Sequence, residues 1–269
     1  MHRAPSAAAV ADSCPTADLD RRFGALSRLY GSDGARRIAG SHAVVVGVGG
    51  VGSWAAEALV RSGLGRIALI DLDHVAESNI NRQLQALDAT LGMAKVDALR
   101  QRFAQINPEC AVHAVEEFVD PENAAGLIPP DANVVLDCCD QVLAKTAIAT
   151  LCLRRGQTLL MAGAAGGKRH ADRVEYSDLS LVTHDPLLAK VRYRLRREHA
   201  APREGRIGLA CAFSTEPVRR HAVPAEDAAG AQPGSGGLSC TGYGSSVMVT
   251  ATMGMVLASR AVDALISSR

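Results

Sequence analysis

The run Ala43-Val44-Val45-Val46 passes directly into Gly47-Val48-Gly49-Gly50-Val51-Gly52, and no other junction limits so tightly what the chain can fold into. Four apolar residues without polar alternation suit a strand covered on both faces, and a turn this rich in glycine ends it. A helical pattern follows over 52–62, then a second buried strand over 66–71. Strand, glycine turn, helix and strand in that order make a unit with two parallel strands.

The rest of the chain repeats the alternation. A polar loop over 73–83 leads to an amphipathic helix with Met93, Val96, Leu99, Phe103 and Ile106 on one stripe, stopped by Pro108. Strands are expected over 110–115, 133–137 and 158–161, with helices over 121–128 and 142–155. Together they predict an α/β fold, a Rossmann-like, doubly wound and mainly parallel sheet. Upstream, Phe23, Leu26, Leu29, Tyr30 and Ile38, interrupted by Gly31 and Gly34, predict two short helices. Downstream lie a strand over 173–177, a basic helix over 186–198 and a strand over 209–213. A last helix over 243–267, apolar nearly all round in its first half, is expected to be buried or at a subunit interface. Residues 1–17 read as a disordered lead and 18–269 as one domain. Its nucleotide-binding part covers about 41–162, and its substrate and dimer part about 163–269, with a flexible Ala/Gly/Pro-rich segment at 223–240.

Composition removes several classes of function. Aromatic residues are 3% of the chain, so a platform of stacked bases is excluded and the core must be aliphatic. With 29 Lys and Arg against 28 Asp and Glu, no global field attracts polyanions. Between 190 and 220, however, nine basic residues meet three acidic ones. Seven cysteines without a C-x-x-C pair argue against a disulfide framework and a Cys-rich zinc site, and suit a reducing cytoplasm. The apolar run at 7–10 is cut by Asp12, and the longest one, 247–257, is broken by Thr250 and Thr252. Neither reaches the roughly 20 residues that span a bilayer, so no membrane is expected.

The glycine turn opens a helix, where backbone N–H groups receive phosphate oxygens, and Asp71 ends the second strand 19 residues past Gly52, placed for ribose hydroxyls. A nicotinamide dinucleotide is the default ligand of such a fingerprint, which would make the protein an oxidoreductase. The loop after Asp71 tips the reading to ATP: Asn79, Arg82 and Gln83, then Lys95 on the next helix, bring two cations that a departing pyrophosphate needs. A nucleotide-binding scaffold without catalysis is the bland competitor.

Gly47 to Gly52, Asp71, Asn79-x-x-Arg82-Gln83, Lys95 and Asp137-Cys138-Cys139-Asp140 resemble the ThiF/MoeB-type adenylating domain of the ubiquitin-activating-enzyme superfamily. Arg22-Phe23-Gly24, Arg28-Leu29-Tyr30-Gly31, the run from Gly49 to Leu59, Gln105-Ile106-Asn107-Pro108-Glu109-Cys110 and Phe213-Ser214-Thr215-Glu216 are similar, more narrowly, to its tRNA threonylcarbamoyladenosine dehydratase branch. The resemblance runs from about residue 19 to the last helix. It implies that Gly47, Gly49, Gly50, Gly52, Asp71, Asp73, Asn79, Arg82, Gln83, Lys95 and Asp140 hold ATP, that Arg82 and Lys95 act in catalysis, and that Asp140 holds Mg²⁺ through water. Arg28, in preference to Arg22, resembles an arginine inserted into the partner subunit's site, implying a homodimer. The implied substrate is tRNA bearing threonylcarbamoyladenosine, whose threonine carboxylate is adenylated and then attacked by its own ureido group, for a net loss of water. The rival substrate is the C-terminal glycine of a ubiquitin-like sulfur carrier.

Lys190, Arg192, Arg194, Arg196 and Arg197 on the basic helix are the expected tRNA contacts, with Lys168, Arg169 and His170 as additions. Cys240 sits where relatives that pass on a thioester keep a mobile-loop thiol, although an uninvolved thiol is the simpler reading. Cys138, Cys139, Cys211 and Trp54 read as packing residues. The sequence leaves open whether a monovalent cation binds and whether a cysteine desulfurase or sulfur-acceptor system docks.

Overall fold

The computed structural model describes residues 17–219 and 243–267. The expected lead, the segment at 223–240 and Cys240 lie outside these residues, apart from residue 17. In chain order the elements are α1 (Leu19–Ala39), β1 (His42–Val46), α2 (Gly52–Arg61), β2 (Arg66–Ile70), α3 (Lys95–Ile106), β3 (Ala111–Val115), α4 (Ala124–Leu127), β4 (Val134–Asp137), α5 (Val142–Arg155), β5 (Thr158–Ala162), β6 (Val174–Asp178), α6 (Pro186–Glu198), β7 (Ala210–Ser214) and α7 (Val247–Ser267). The two predicted N-terminal helices are one element kinked at Gly31, whose φ of 75° and ψ of 160° are not helical. Predicted helix 121–128 shrinks to α4 because the Asp120 carboxylate first accepts the amides of Glu122 and Asn123, closing a turn instead. The last helix begins at Val247, four residues later than expected.

The seven strands stand in the order β3-β2-β1-β4-β5-β7-β6, all parallel except β6, which runs antiparallel to β7. Side chains of β1 alternate between faces: Ala43 and Val45 join the core under α2 and α7, Val44 and Val46 the core under α5 and α6. Burial on both sides is why the strand reads as an unbroken apolar run. Helix α7 is long and apolar enough by composition to cross a membrane, yet Val249, Met253, Leu257, Ala261 and Leu265, one turn apart, are buried in the first of these cores.

On α2 the nearly buried Glu57 takes Arg102 of α3 in a two-pronged contact, 2.5 Å and 2.9 Å, and Arg61 at 2.8 Å. Burial alone would raise its carboxyl, but the Arg102 and Arg61 bonds more than offset this and hold it below the usual glutamate range. A depressed carboxylate stabilises the folded chain above its unfolded pKa, and that contribution disappears as the pH falls through the lower folded value. Glu57→Gln is therefore expected to cost about 1–2 kcal/mol at pH 7, discounted for the partly exposed arginines. It should also flatten the loss of stability in acid, as read by urea melts from pH 7 to 3. Identical acid limbs for both proteins would remove Glu57 from this role.

Candidate functional site

The chain leaves β1 for α2 on one face of the sheet and β4 for α5 on the other, so a crevice opens at the carboxyl ends of these neighbouring strands. The register pairs Val46 with Ile70 and with Asp137, which sets Gly47, Asp71 and Cys138 side by side at its mouth.

Two glycines make the turn possible. Gly47 has φ +80°, and a Cβ there would lie 2.8 Å from the Cys139 nitrogen; a Cβ on Gly52 would lie 1.9 Å from the Gly47 oxygen. The turn thus lies against the end of β4. Val51, the residue capping α2, brings no side chain to the first-turn amides; that of Ser53 turns back to the Gly49 carbonyl, and the others are left for an anion.

Asp71 secures the same turn: its Oδ2 accepts the Val48 amide at 2.7 Å and its Oδ1 the Asp73 amide at 2.9 Å. Burial pushes its carboxyl up, opposed by nearby Lys95 and by these two amides. Lys95 opens α3 with a side chain 6% exposed, its Nζ 2.7 Å from Asp73 Oδ2. Asp73 thus stands in the site as the counter-ion of Lys95. The stem of Arg82 lies over Gly50, whose Cβ would sit 3.4 Å from Arg82 Cγ. Its Nη1 donates to the Ser78 carbonyl and to Asn81 Oδ1, at 2.6 Å and 2.9 Å.

The loop carrying Arg82 is held by residues that sequence reasoning did not assign to it. Trp54, expected as core, donates its indole N–H to the Arg82 carbonyl at 3.0 Å, Asn81 reaches the Ser245 carbonyl, and buried Gln85 donates to the Val48 carbonyl. Asn79 supports the turn itself, its Oδ1 accepting the Ala76 amide. Gln83 is buried beside Gly49.

At the end of β4, Asp137 and Lys145 are both fully buried, with Lys145 Nζ 3.0 Å from Asp137 Oδ2 and 3.1 Å from the Cys139 carbonyl. Burial alone would lower the lysine; Asp137 more than reverses it and keeps the ammonium charged. Lys145 therefore pins the loop that leads to Asp140. The only sequence signal for it was a lysine eight positions past a strand-end aspartate. Burial pushes the Cys138 thiol up to about 12 and Cys139 well above the ordinary value, so both are packing residues and poor nucleophiles. Cys211 is a buried strand residue, as expected. Asp140 is exposed and makes no hydrogen bond or ion pair with the described residues.

The basic helix α6 sorts its charges. Arg192 donates to the carbonyls of Leu179 and Val182, both at 2.9 Å, and Arg194 pairs with Glu198 at 2.6 Å, so these two serve the fold. Arg192, Arg196, Arg197 and Arg203 nevertheless line an open hollow of about 700 Å³ with Tyr193. Arg197 lies over the Tyr193 ring at 5.9 Å and donates to its hydroxyl, while Lys190 is exposed. Lys168, expected on this surface with Arg169 and His170, is instead buried. On α1, Arg22 donates to the carbonyls of Gln105 and Ile106, whereas Arg28 is exposed and touches no described residue by hydrogen bond or ion pair.

Comparison with known proteins bears on the chain as a whole. The sequence pattern of the ThiF family matches residues 21–268. The tRNA threonylcarbamoyladenosine dehydratase of Escherichia coli (strain K12) is 40% identical over 254 residues, 92% of this chain and 94% of the relative. The protein of the same name from Haemophilus influenzae is 35% identical over 94% of this chain and 96% of its own length. The crystal structure of E. coli tRNA N6-threonylcarbamoyladenosine dehydratase in complex with ATP superposes with a TM-score of 0.82, at 38% identity, over 93% of this chain and 96% of that one.

Proposed function

The chain belongs to the ThiF family, and from that membership we propose that it is an ATP-dependent tRNA threonylcarbamoyladenosine dehydratase. The observation that carries the reading is the crevice between β1 and β4. A glycine turn and helix amides without a side-chain cap lie on one wall, with Arg82 and Lys95 beside them and exposed Asp140 just past the neighbouring strand β4, in a chain that aligns over 92% of its length with a relative of that activity.

The threonine carboxylate attacks the α-phosphorus of ATP, forming an acyl-adenylate as the bond to pyrophosphate breaks. Those amides of the turn and of α2 that are not already bonded within the chain hold phosphate oxygens, and Arg82 and Lys95 offset the charge that grows on the leaving pyrophosphate. The ureido group of the same nucleoside then closes onto the activated carbonyl and expels AMP. Substrate oxygen leaves with AMP, so the nucleoside loses one water. Both reacting groups belong to one molecule, and holding them in contact supplies much of the rate. Asp140 fits Mg²⁺, which is commonly held by one or two carboxylates, phosphates and water, and when bound the ion would neutralise charge on the phosphates. Asp137 is not available to it, being committed to Lys145.

The tRNA backbone lies in this reading along the hollow of α6, on Arg196, Arg197 and Arg203, with exposed Lys190 on the same helix. Replacing Arg197 and Arg203 together by Ala should weaken tRNA binding and lower the slope of log K against log salt by about 1–2 while ATP binding is unchanged. An unaltered slope would leave the patch as solvated surface. The protein is further read as a homodimer in which Arg28 completes the partner's site, at work in a reducing cytoplasm.

The deciding experiment incubates the protein with ATP, Mg²⁺ and tRNA lacking the cyclised nucleoside. Loss of one water by mass, with AMP and pyrophosphate formed in step, is the expected result. Pyrophosphate release that responds to a sulfur-carrier protein and not to tRNA would overturn it.

A further inference from the structure

Lys168 follows β5 on a loop beside the crevice, and its side chain is among the most deeply buried charges, with the residue 2% exposed. Its ammonium donates to three backbone carbonyls: His184 at 2.8 Å, Ser214 at 3.0 Å, and Glu216. An ammonium has three donors, and all three are taken. It forms no ion pair among the described residues. Burial pulls its pKa below the ordinary lysine range, against the carboxylates of Asp185 and Glu216, which favour its charge through space. Both carboxylates are themselves bonded to backbone amides, Asp185 to Ala164 and Leu188, Glu216 to Arg169 and His170.

A second, independent feature marks the same place. His184, whose carbonyl is one wall of the cage, has φ 54°, the left-handed region that side chains with a β-carbon avoid. Such a conformation persists when surrounding bonds over-determine it. Converging backbone carbonyls with carboxylates set behind them are the donor set of an alkali-cation site, and ammonium and K⁺ compete for such sites.

We propose that Lys168 is a tethered monovalent cation, its ammonium filling a carbonyl cage that would otherwise take a free NH₄⁺ or K⁺ ion. It thereby joins the loop after β5, the loop before α6 and the loop after β7 without a dissolved ion. These loops stand at the carboxyl edge of β5 and β7, on the side of the sheet's crevice beyond β4.

Thermal stability tests this independently of the reaction assigned above. The wild-type protein, measured in choline, sodium, potassium and ammonium chlorides at matched ionic strength, sets the reference from which any salt effect at another site is subtracted. Lys168→Ala should melt roughly 5 °C or more lower in choline chloride, because three buried carbonyls lose their donor. It should recover saturably in ammonium or methylammonium chloride, and less in potassium chloride. Lys168→Met, whose uncharged chain fills the space, should lose the same stability and recover in none of them. If Lys168→Ala is obtained only unfolded, refolding yield in the same salts replaces the melt and is expected to rise with ammonium. A Lys168→Ala protein whose deficit relative to wild type, in melting or refolding, is the same in every salt overturns the proposal.

Discussion

Lys95→Ala is expected to lower the rate of AMP formation on the order of 10²-fold or more, about 2.7 kcal/mol of transition-state stabilisation, while the protein stays folded. The ammonium is a preorganised charge: it sits at the start of α3, almost out of solvent, held at 2.7 Å by Asp73 beside the turn proposed to receive the phosphates. The cost to the fold is small, because Asp73 is half exposed and rehydrates when its partner is removed. A second consequence separates Lys95 from Arg82. Asp71 is already pushed up by burial, and Lys95 is the cation that opposes this. Without Lys95 its carboxyl rises further, so the acid limb of the pH profile should move to higher pH. Arg82→Ala should show a comparable loss of rate with no such movement, since Arg82 does not act on Asp71. Unchanged AMP formation in both variants would end these assignments.

The contrast between those two cations and Lys145 or Lys168 shows where a sequence is legible and where it stops being so. β1, the turn, α2 and β2 could be read to within a residue or so because local pattern dictates them: a strand buried on both faces, glycines without which backbone would collide with backbone, and an acid at the next strand's end. Arg82 and Lys95 could be placed beside the glycine turn because the unit itself delivers them there. Their supports could not. Trp54, Gln85 and Asn81 act on the Arg82 loop through contacts that cross the chain, and nothing in a run of residues states that a tryptophan's N–H meets a carbonyl 28 positions away. Buried lysines fail for a related reason. A lysine is solvated by default, and only the converging carbonyls and a distant Asp137, supplied by other elements, make the interior tolerable for Lys168 and Lys145. Arg192, expected as a phosphate contact on the same default, instead donates to two carbonyls on the chain before α6 and clamps the fold.

Mixing two inactive variants is expected to restore activity if Arg28 works across a dimer. Arg28 and Arg22 lie on the same helix, yet Arg22 is spent on the last carbonyls of α3, while Arg28 is exposed and has no hydrogen bond or ion pair to its own described chain. An arginine left without local work on a kinked helix is suited to reach a second copy, where it would meet the charge of the leaving pyrophosphate. Arg28→Ala alone should then lose on the order of 10²-fold in rate with ATP binding little changed, as expected of a charge used mainly in the transition state. Random re-pairing of Arg28→Ala with Lys95→Ala in equal amounts makes about half the dimers mixed, and each mixed dimer has one site with both Lys95 and a partner's Arg28. About one quarter of wild-type activity should therefore return. The mixture would remain inactive if Arg28 served the site of its own chain, since every site would then lack one of the two charges, and a protein that sediments as a monomer at assay concentration would exclude the exchange altogether.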